Sequence, residues 1–395
     1  MTRTAFHATC VLAGDDLTVQ QDCYLLVENG SIVFIGNPIS SEENVIDMRG
    51  KLLCPMFINA HTHVGDSGAK ELGVGLPLDQ VVTRSDGLKH KFLRSLSSET
   101  HIEMMRHGLQ EMLRNGIIAA ADFREQGLDG VRALRQAAHG LPIRVIVLGR
   151  MQENATASEA SLEQEAHSLL EEADGLGVRD VTSYPPRLLK KLRQEYPNRL
   201  FAAHASEDLP SERLSRQTTG KGQAARLLEW QPNFLVHLTH TPPEEIAKML
   251  NAGVSAVACP RSNGILGDGL PDLANWAQMG LRFGLGSDNM MFTAPDMLRE
   301  MDYASRMTRG KNLNPAIIQS HKILKAATIE GARILKLENE LGSLKPGKRA
   351  CFIVFDLNTP NLTYQQDVVS AIVHRATPAD IAAIYIDGNL YSQEQ

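Results

Sequence analysis

Two histidines spaced i, i+2 close an apolar run, Leu52-Leu53-Cys54-Pro55-Met56-Phe57-Ile58-Asn59-Ala60-His61-Thr62-His63. On a β-strand, residues two apart face the same way, so His61 and His63 can aim both imidazoles at one point beyond the strand's end. That is a metal-binding geometry, but an isolated H-x-H is more often an ordinary surface or core pair, so its partners must be sought elsewhere. They stand at the ends of three later apolar runs. His204 and Glu207 close Phe201-Ala202-Ala203-His204-Ala205-Ser206-Glu207, His237 and His240 close Val236-His237-Leu238-Thr239-His240, and Asp288 closes Leu285-Gly286-Ser287-Asp288. Three histidines and an aspartate from separate strand ends can surround one divalent cation and leave a position for water.

Such convergence needs a scaffold that brings strand ends together. From Leu52 onward, apolar strand-like runs alternate with helix-like segments, the pattern of βαβ units and a parallel sheet. Eight strands are expected, over 53–63, 116–123, 143–150, 176–183, 200–205, 234–240, 254–260 and 282–288. Eight such units match a (β/α)8 barrel of TIM type, whose usual size is about 250 residues and whose sites lie at the C-terminal strand ends. The ends of the chain read differently. Short β-rich runs around the hairpin signal Asn29-Gly30 are matched only by runs such as Ala350–Asp356 and Ile381–Gly388, so both termini are expected to build one small β-sandwich. The expected division is residues 1–51 and 336–395 for the sandwich and 52–335 for the barrel. Residues 64–95, rich in glycine, proline and charge, form a long first connection expected to cover the site.

Composition narrows the function. With 40 basic and 46 acidic residues among 395, the net charge of -6 gives no reason to expect nucleic acid or an anionic membrane as partner. The N-terminal residues lack a signal-peptide pattern and no apolar run approaches the ~18 residues that span a bilayer, so a cytoplasmic location is expected. The five cysteines are scattered and never spaced C-x-x-C, which suggests buried hydrophobes rather than a disulfide framework or thiolate zinc site.

Together with the strand-end runs above, Cys259-Pro260-Arg261-Ser262-Asn263 and Gly342-Ser343-Leu344-Lys345-Pro346-Gly347-Lys348-Arg349-Ala350 make the sequence resemble the amidohydrolase superfamily over nearly its whole length. The similarity is to the branch of cytosine deaminase, S-adenosylhomocysteine deaminase and the triazine chlorohydrolases. Two positions depart from the family pattern: Met56 stands where glycine is common, and Cys351 where aspartate is common. The resemblance implies His61, His63, His204 and Asp288 as metal ligands, with Glu207 and His237 as the catalytic pair.

The residue types suit those roles. A divalent cation lowers the pKa of bound water from 15.7 to about 7. Asp288 can both ligate the cation and accept that water's proton, Glu207 can carry a proton to a ring nitrogen or leaving group, and His237, if off the metal, can stabilise developing charge. On an alternating strand His237 and His240 face opposite sides, and the family match favours His237 for the pocket. His101, His107, His139 and His167 fall on expected helices and read as solvent-facing or capping residues. The strand-four end, Val178-Arg179-Asp180-Val181-Thr182-Ser183-Tyr184, has no lysine to become a metal-bridging carbamate, so one metal per chain is expected, zinc first, with iron or manganese as alternatives.

The expected activity is hydrolytic deamination of an aminated nitrogen heterocycle. Cyclic amide or imidazolone hydrolysis and dechlorination on the same scaffold are the alternatives, and a non-catalytic barrel used as a binding protein is the remote one. Arg124, Arg150 and Arg261 follow or end strands and suit an anionic group on a small-molecule substrate, while Tyr184 and Asn263 are candidate contacts to a heterocycle. A homo-oligomer is left open.

Overall fold

The protein is described by a computed structural model covering residues 3–37, 44–83, 86–151 and 158–391. Nine parallel strands form the larger sheet, in the spatial order Phe283–Leu285, Ser255–Ala258, Phe234–His237, Leu200–Ala205, Gly175–Val178, Arg144–Gly149, Ile117–Arg124, Phe57–His63 and Asp288–Asn289. Strands such as Phe57–His63, Ile117–Arg124 and Leu200–Ala205 are buried at every residue, without alternation, because both faces are covered.

The two outermost strands are consecutive in the chain, with only Gly286 and Ser287 between them. Leu285 pairs with Ala258, whereas Asp288 pairs with Thr62. One interrupted segment thus carries both edges of the sheet, a curled arrangement that fits a TIM-type barrel. At the interruption Gly286 N–H still donates to Ala258 O at 2.9 Å, and Asn59 replaces the missing ladder by accepting from Ser287 N at 2.9 Å and donating to Ser287 Oγ at 2.7 Å. Glycine is required here by close approach: a Cβ on Gly286 would lie 2.7 Å from His61 O and 2.8 Å from His61 N.

The termini make a second, mixed sheet of seven strands, ordered Asn389–Leu390, Ile381–Ile386, Phe352–Asp356, Asn44–Pro55, Arg3–Ala13, Thr18–Glu28 and Ser31–Gly36. The expected hairpin is present, with Asn29 and Gly30 both at positive φ between the last two strands. Where two packed layers are expected from the sequence, the described strands form one continuous ladder. It is strongly curled, since the Phe6 and Tyr385 rings meet at 4.9 Å although two strands separate theirs. Alternation sorts its two faces. Leu53, Phe352 and Val354 join Phe6 in the sheet's own core, while Leu52, Cys54, Ile353 and Phe355 pack into the barrel core.

Several strand ends differ from expectation. The run 53–63 is two strands, because Leu52–Pro55 belong to the terminal sheet and pair with Phe352–Phe355; Met56 is the break, its N–H donating to Cys351 O at 3.3 Å. The run 234–240 stops at His237, where His237 and Leu238 turn to positive φ, and 176–183 stops at Val178. All five cysteines are buried and free, as expected. Among the described residues no helix is long and apolar enough to cross a membrane.

The Gly286 contact generates a prediction. Gly286→Ala should lose about 1–3 kcal/mol, typical of overpacking, because the new methyl meets backbone that cannot yield. Urea denaturation checks this, and an unchanged midpoint would show that strand eight is not held against His61 as described.

Candidate active site

Four side chains from three places in the sheet converge at its C-terminal end. His61, His63, His204 and Asp288 each offer one ligand atom, and these atoms all lie within 4.8 Å of one another. The imidazole tautomers follow from the hydrogen bonds. His63 Nδ1–H donates to Phe123 O at 3.1 Å, and His204 Nδ1–H donates to Val178 O at 3.3 Å. A carbonyl can only accept, so in the neutral rings each Nε2 carries a lone pair. Those two Nε2 atoms face each other at 3.4 Å. Burial pushes His63 down to about 3 and His204 well below the usual histidine range, so neither ring supplies a bridging proton. A cation between the lone pairs resolves the conflict, and the donor set of three imidazoles and a carboxylate suits a divalent transition metal.

Asp288 completes the set from the far side. Its Oδ1 lies 3.2 Å from His61 Nε2 and 3.5 Å from His63 Nε2, and its Oδ2 accepts from Ser262 Oγ at 2.5 Å. Burial alone would raise this carboxyl, but the hydrogen bond from His61 and the surrounding imidazoles hold it well below the usual carboxylate range. His61 Nδ1 has no hydrogen-bond partner.

His237 is set up differently from the other rings. Asn263 Nδ2 donates to its Nδ1 at 3.1 Å, which leaves Nε2 to carry the proton. That buried Nε2 has no hydrogen-bond partner and points toward Glu207, whose Oε1 is 3.6 Å away. It is a donor directed at the site, not a lone pair for a metal. Burial, then the neighbouring Asp288 and Asp208 carboxylates, raise Glu207 well above the usual range, so it can hold a proton. Glu207, His237 and Asp288 also form a ligand-like group, sharing Asp288 with the first set. Ser206, His237, Leu238 and Asp288 all have φ between 50° and 72°, and such left-handed backbone in non-glycine residues concentrates where side chains must be aimed.

These groups floor a cavity of about 460 Å³ with apolar walls from Leu78, Val82, Val181 and Leu214. A model described as the amidohydrolase family matches residues 52–391. The chain belongs to that family. A provisionally named aminohydrolase of Methanothermobacter thermautotrophicus is 35% identical over 305 residues, covering 76% of this chain and 79% of the relative. The 5-methylthioadenosine/S-adenosylhomocysteine deaminase of Halobacterium salinarum is 26% identical over 414 residues, covering 98% and 91%. An adenosine deaminase structure from Xanthomonas campestris, with zinc bound, shares the fold at a TM-score of 0.86 and 20% identity, covering 98% of this chain and 92% of that one. The protein is therefore a hydrolase of the amidohydrolase family, acting on carbon–nitrogen bonds.

The remaining residues singled out from sequence take several positions in this amidohydrolase. Arg150 lines the cavity, 3.6 Å from Glu125 Oε1. Arg124 does not line it: it is fully buried, paired with Glu125 and lying 3.6 Å from Asp122 Oδ1. Arg261 faces Glu300 and Ala294 O, Tyr184 donates to Met151 O at 2.7 Å, and Asn263 acts through His237. His240 donates to Asp268 O at 2.6 Å and is outside both ligand groups. His101 is a correction, because it is buried and donates to Gly65 O at 3.1 Å, pinning the first connection. That connection does wall the cavity, through Leu78, Val82, Lys89 and His90.

Sequence reasoning missed Lys89 and Glu125. Lys89 Nζ is buried 2.7 Å from Glu125 Oε1, 2.8 Å from Asn289 Oδ1 and 3.1 Å from Asp66 Oδ2. Although burial opposes it, the Glu125 and Asp66 carboxylates raise the lysine above its ordinary value, which favours the ammonium. A signal for Glu125 existed in strand parity: Phe123 turns inward against His61, and residue 125 shares its face.

Arg124→Met should cost about 3–5 kcal/mol by leaving the buried Asp122 carboxylate without its counter-ion and removing one of the cations that face Glu125. Chemical denaturation reads the loss. A variant of wild-type stability would contradict this placement.

Proposed function

We propose that this amidohydrolase is a hydrolytic deaminase of an aminated nitrogen heterocycle, working with one zinc per chain held by His61, His63, His204 and Asp288. The observation that carries it is the pair of facing Nε2 lone pairs on His63 and His204, beside the buried acid Glu207 and a ring hydrogen-bonded through Nδ1 by Asn263. The deaminase named among the relatives supports the reaction class. When bound, the metal would supply a water acidified to near neutrality. Asp288, kept ionised by its imidazole neighbours, takes the proton of the attacking water. Glu207 delivers its proton to the ring nitrogen, the proton taken by Asp288 passes to the departing amine, and the hydroxyl proton of the intermediate returns to Glu207 as the carbonyl forms, while His237 donates from Nε2 to the oxygen that becomes that carbonyl.

The reading includes a closed (β/α)8 barrel spanning about residues 52–335, a terminal unit from 1–51 and 336–395, and a cytoplasmic location. Within the boundary, Leu52–Pro55 contribute to the terminal sheet. Arg150 is assigned to an anionic group of the substrate because it reaches the cavity wall and carries a planar pair of donors.

An ammonia-release screen of zinc-reconstituted protein against aminated heterocycles, cyclic amides and haloaromatics tests the reaction. Turnover is expected on the aminated set, and turnover of a cyclic amide alone would sink the deaminase reading. Glu207→Gln should lower kcat by about 10²–10⁴-fold, the usual contribution of a positioned acid. Asp288→Ala should lose both metal and turnover, and retention of both would end its assignment. Arg150→Met should raise KM for an anionic substrate; an unchanged KM removes its role. Metal analysis should give one equivalent, whereas two in active protein would reassign the Glu207–His237–Asp288 group.

A further inference from the structure

The most unusual polar group near the site outside the proposed machinery is Lys89. It is a buried ammonium, supplied not by a sheet strand but by the helix Leu88–Ser95 in the first connection. Two arms lead from it to metal ligands. Through one, Nζ pairs with Glu125 Oε1, which lies 3.1 Å from His63 Nδ1. Through the other, Nζ donates to Asn289 Oδ1, and Asn289 Nδ2 donates to Asp288 Oδ1 at 3.1 Å. A single side chain therefore braces one ligand at the end of the strand Phe57–His63 and another that opens the strand Asp288–Asn289. Around it, the connection's apolar anchor is a small cluster separate from the main core, built on Ala69, Val81 and Met291 with Leu88 and Phe92 against it. Segments with so little buried apolar surface open at low cost. Attachment of this helix thus rests on Leu88, Phe92 and Leu93 together with the ammonium of Lys89.

We infer that Lys89 is a positioning residue that couples docking of helix Leu88–Ser95 to the geometry of the metal site, so that bound metal and docked helix stabilise each other. The inference rests on the proposed ligand set. Groups that orient ligands from behind contribute about 10–100-fold in metal affinity, and linkage requires that metal strengthen helix docking by the same free energy that docking lends to metal.

Zinc affinity measured by competition with a chromogenic chelator, paired with hydrogen exchange of the Leu88–Ser95 amides in apo and zinc-loaded protein, tests this. In the wild type, zinc should slow exchange of the helix. Lys89→Met should bind zinc about 10–100-fold more weakly, and its helix exchange should no longer respond to zinc. Asn289→Ala, which removes one arm and leaves the Lys89–Glu125 pair, should give a smaller loss in the same direction and serves if Lys89→Met does not fold. A lysine that only contributes to folding would lower apo stability yet leave zinc affinity within twofold of wild type, and that result overturns the coupling. Wild-type protein that binds no zinc removes the metal reading and this inference together. Tight zinc binding with the expected variant effects but no deamination removes the deaminase reading alone.

Discussion

Two imidazole nitrogens with their lone pairs aimed at each other, 3.4 Å apart and shut away from water, form an arrangement that proteins do not keep without compensation. Backbone carbonyls at Phe123 and Val178 enforce it by consuming the other nitrogen of each ring. Much of the structure serves to hold this conflict in place until a cation meets it. Asp288 supplies negative charge from one side, and Lys89 with Arg124 balances the carboxylates behind it. The contrast with His237 shows how much a single neighbour decides: with Asn263 as donor in place of a carbonyl acceptor, the same side chain becomes a proton donor and not a ligand.

The sheet's closure sets the distances. Because strand eight breaks at Gly286-Ser287 and resumes against strand one, Asp288 lands beside Thr62 and within reach of His61 and His63. Left-handed backbone at His237 and Asp288 has a similar logic, turning each side chain across the end of the sheet instead of along it.

The convergence of His61, His63, His204 and Asp288 was legible in sequence because it obeys two periodicities. His61 and His63 share a face by strand alternation, and His204 and Asp288 end apolar runs in a pattern that implies parallel strands. Residues whose role depends on charge balance across the fold were not legible. Arg124 and Arg261 read as substrate contacts, since a strand-end arginine looks the same whether it faces a cavity or a buried acid; Glu125 and Glu300 settle where they point. Lys89 sits in a long connection without periodicity, and nothing local marks it as buried. Strand ends at His237 and Pro55 were also hidden, because apolar character continues past both while the backbone turns or changes sheets.

The strand Asn44–Pro55 passes through Met56 directly into the strand bearing His61 and His63, and it lies between Arg3–Ala13 and Phe352–Asp356. The strand leading into His61 and His63 is thus braced on one side by a strand close in sequence and on the other by one that follows the whole barrel. Pairing across so long a sequence separation is slow and comes late in folding. Full bracing of the strand that leads into His61 and His63 therefore waits on its pairing with Phe352–Asp356, even once Arg3–Ala13 has docked on its other side.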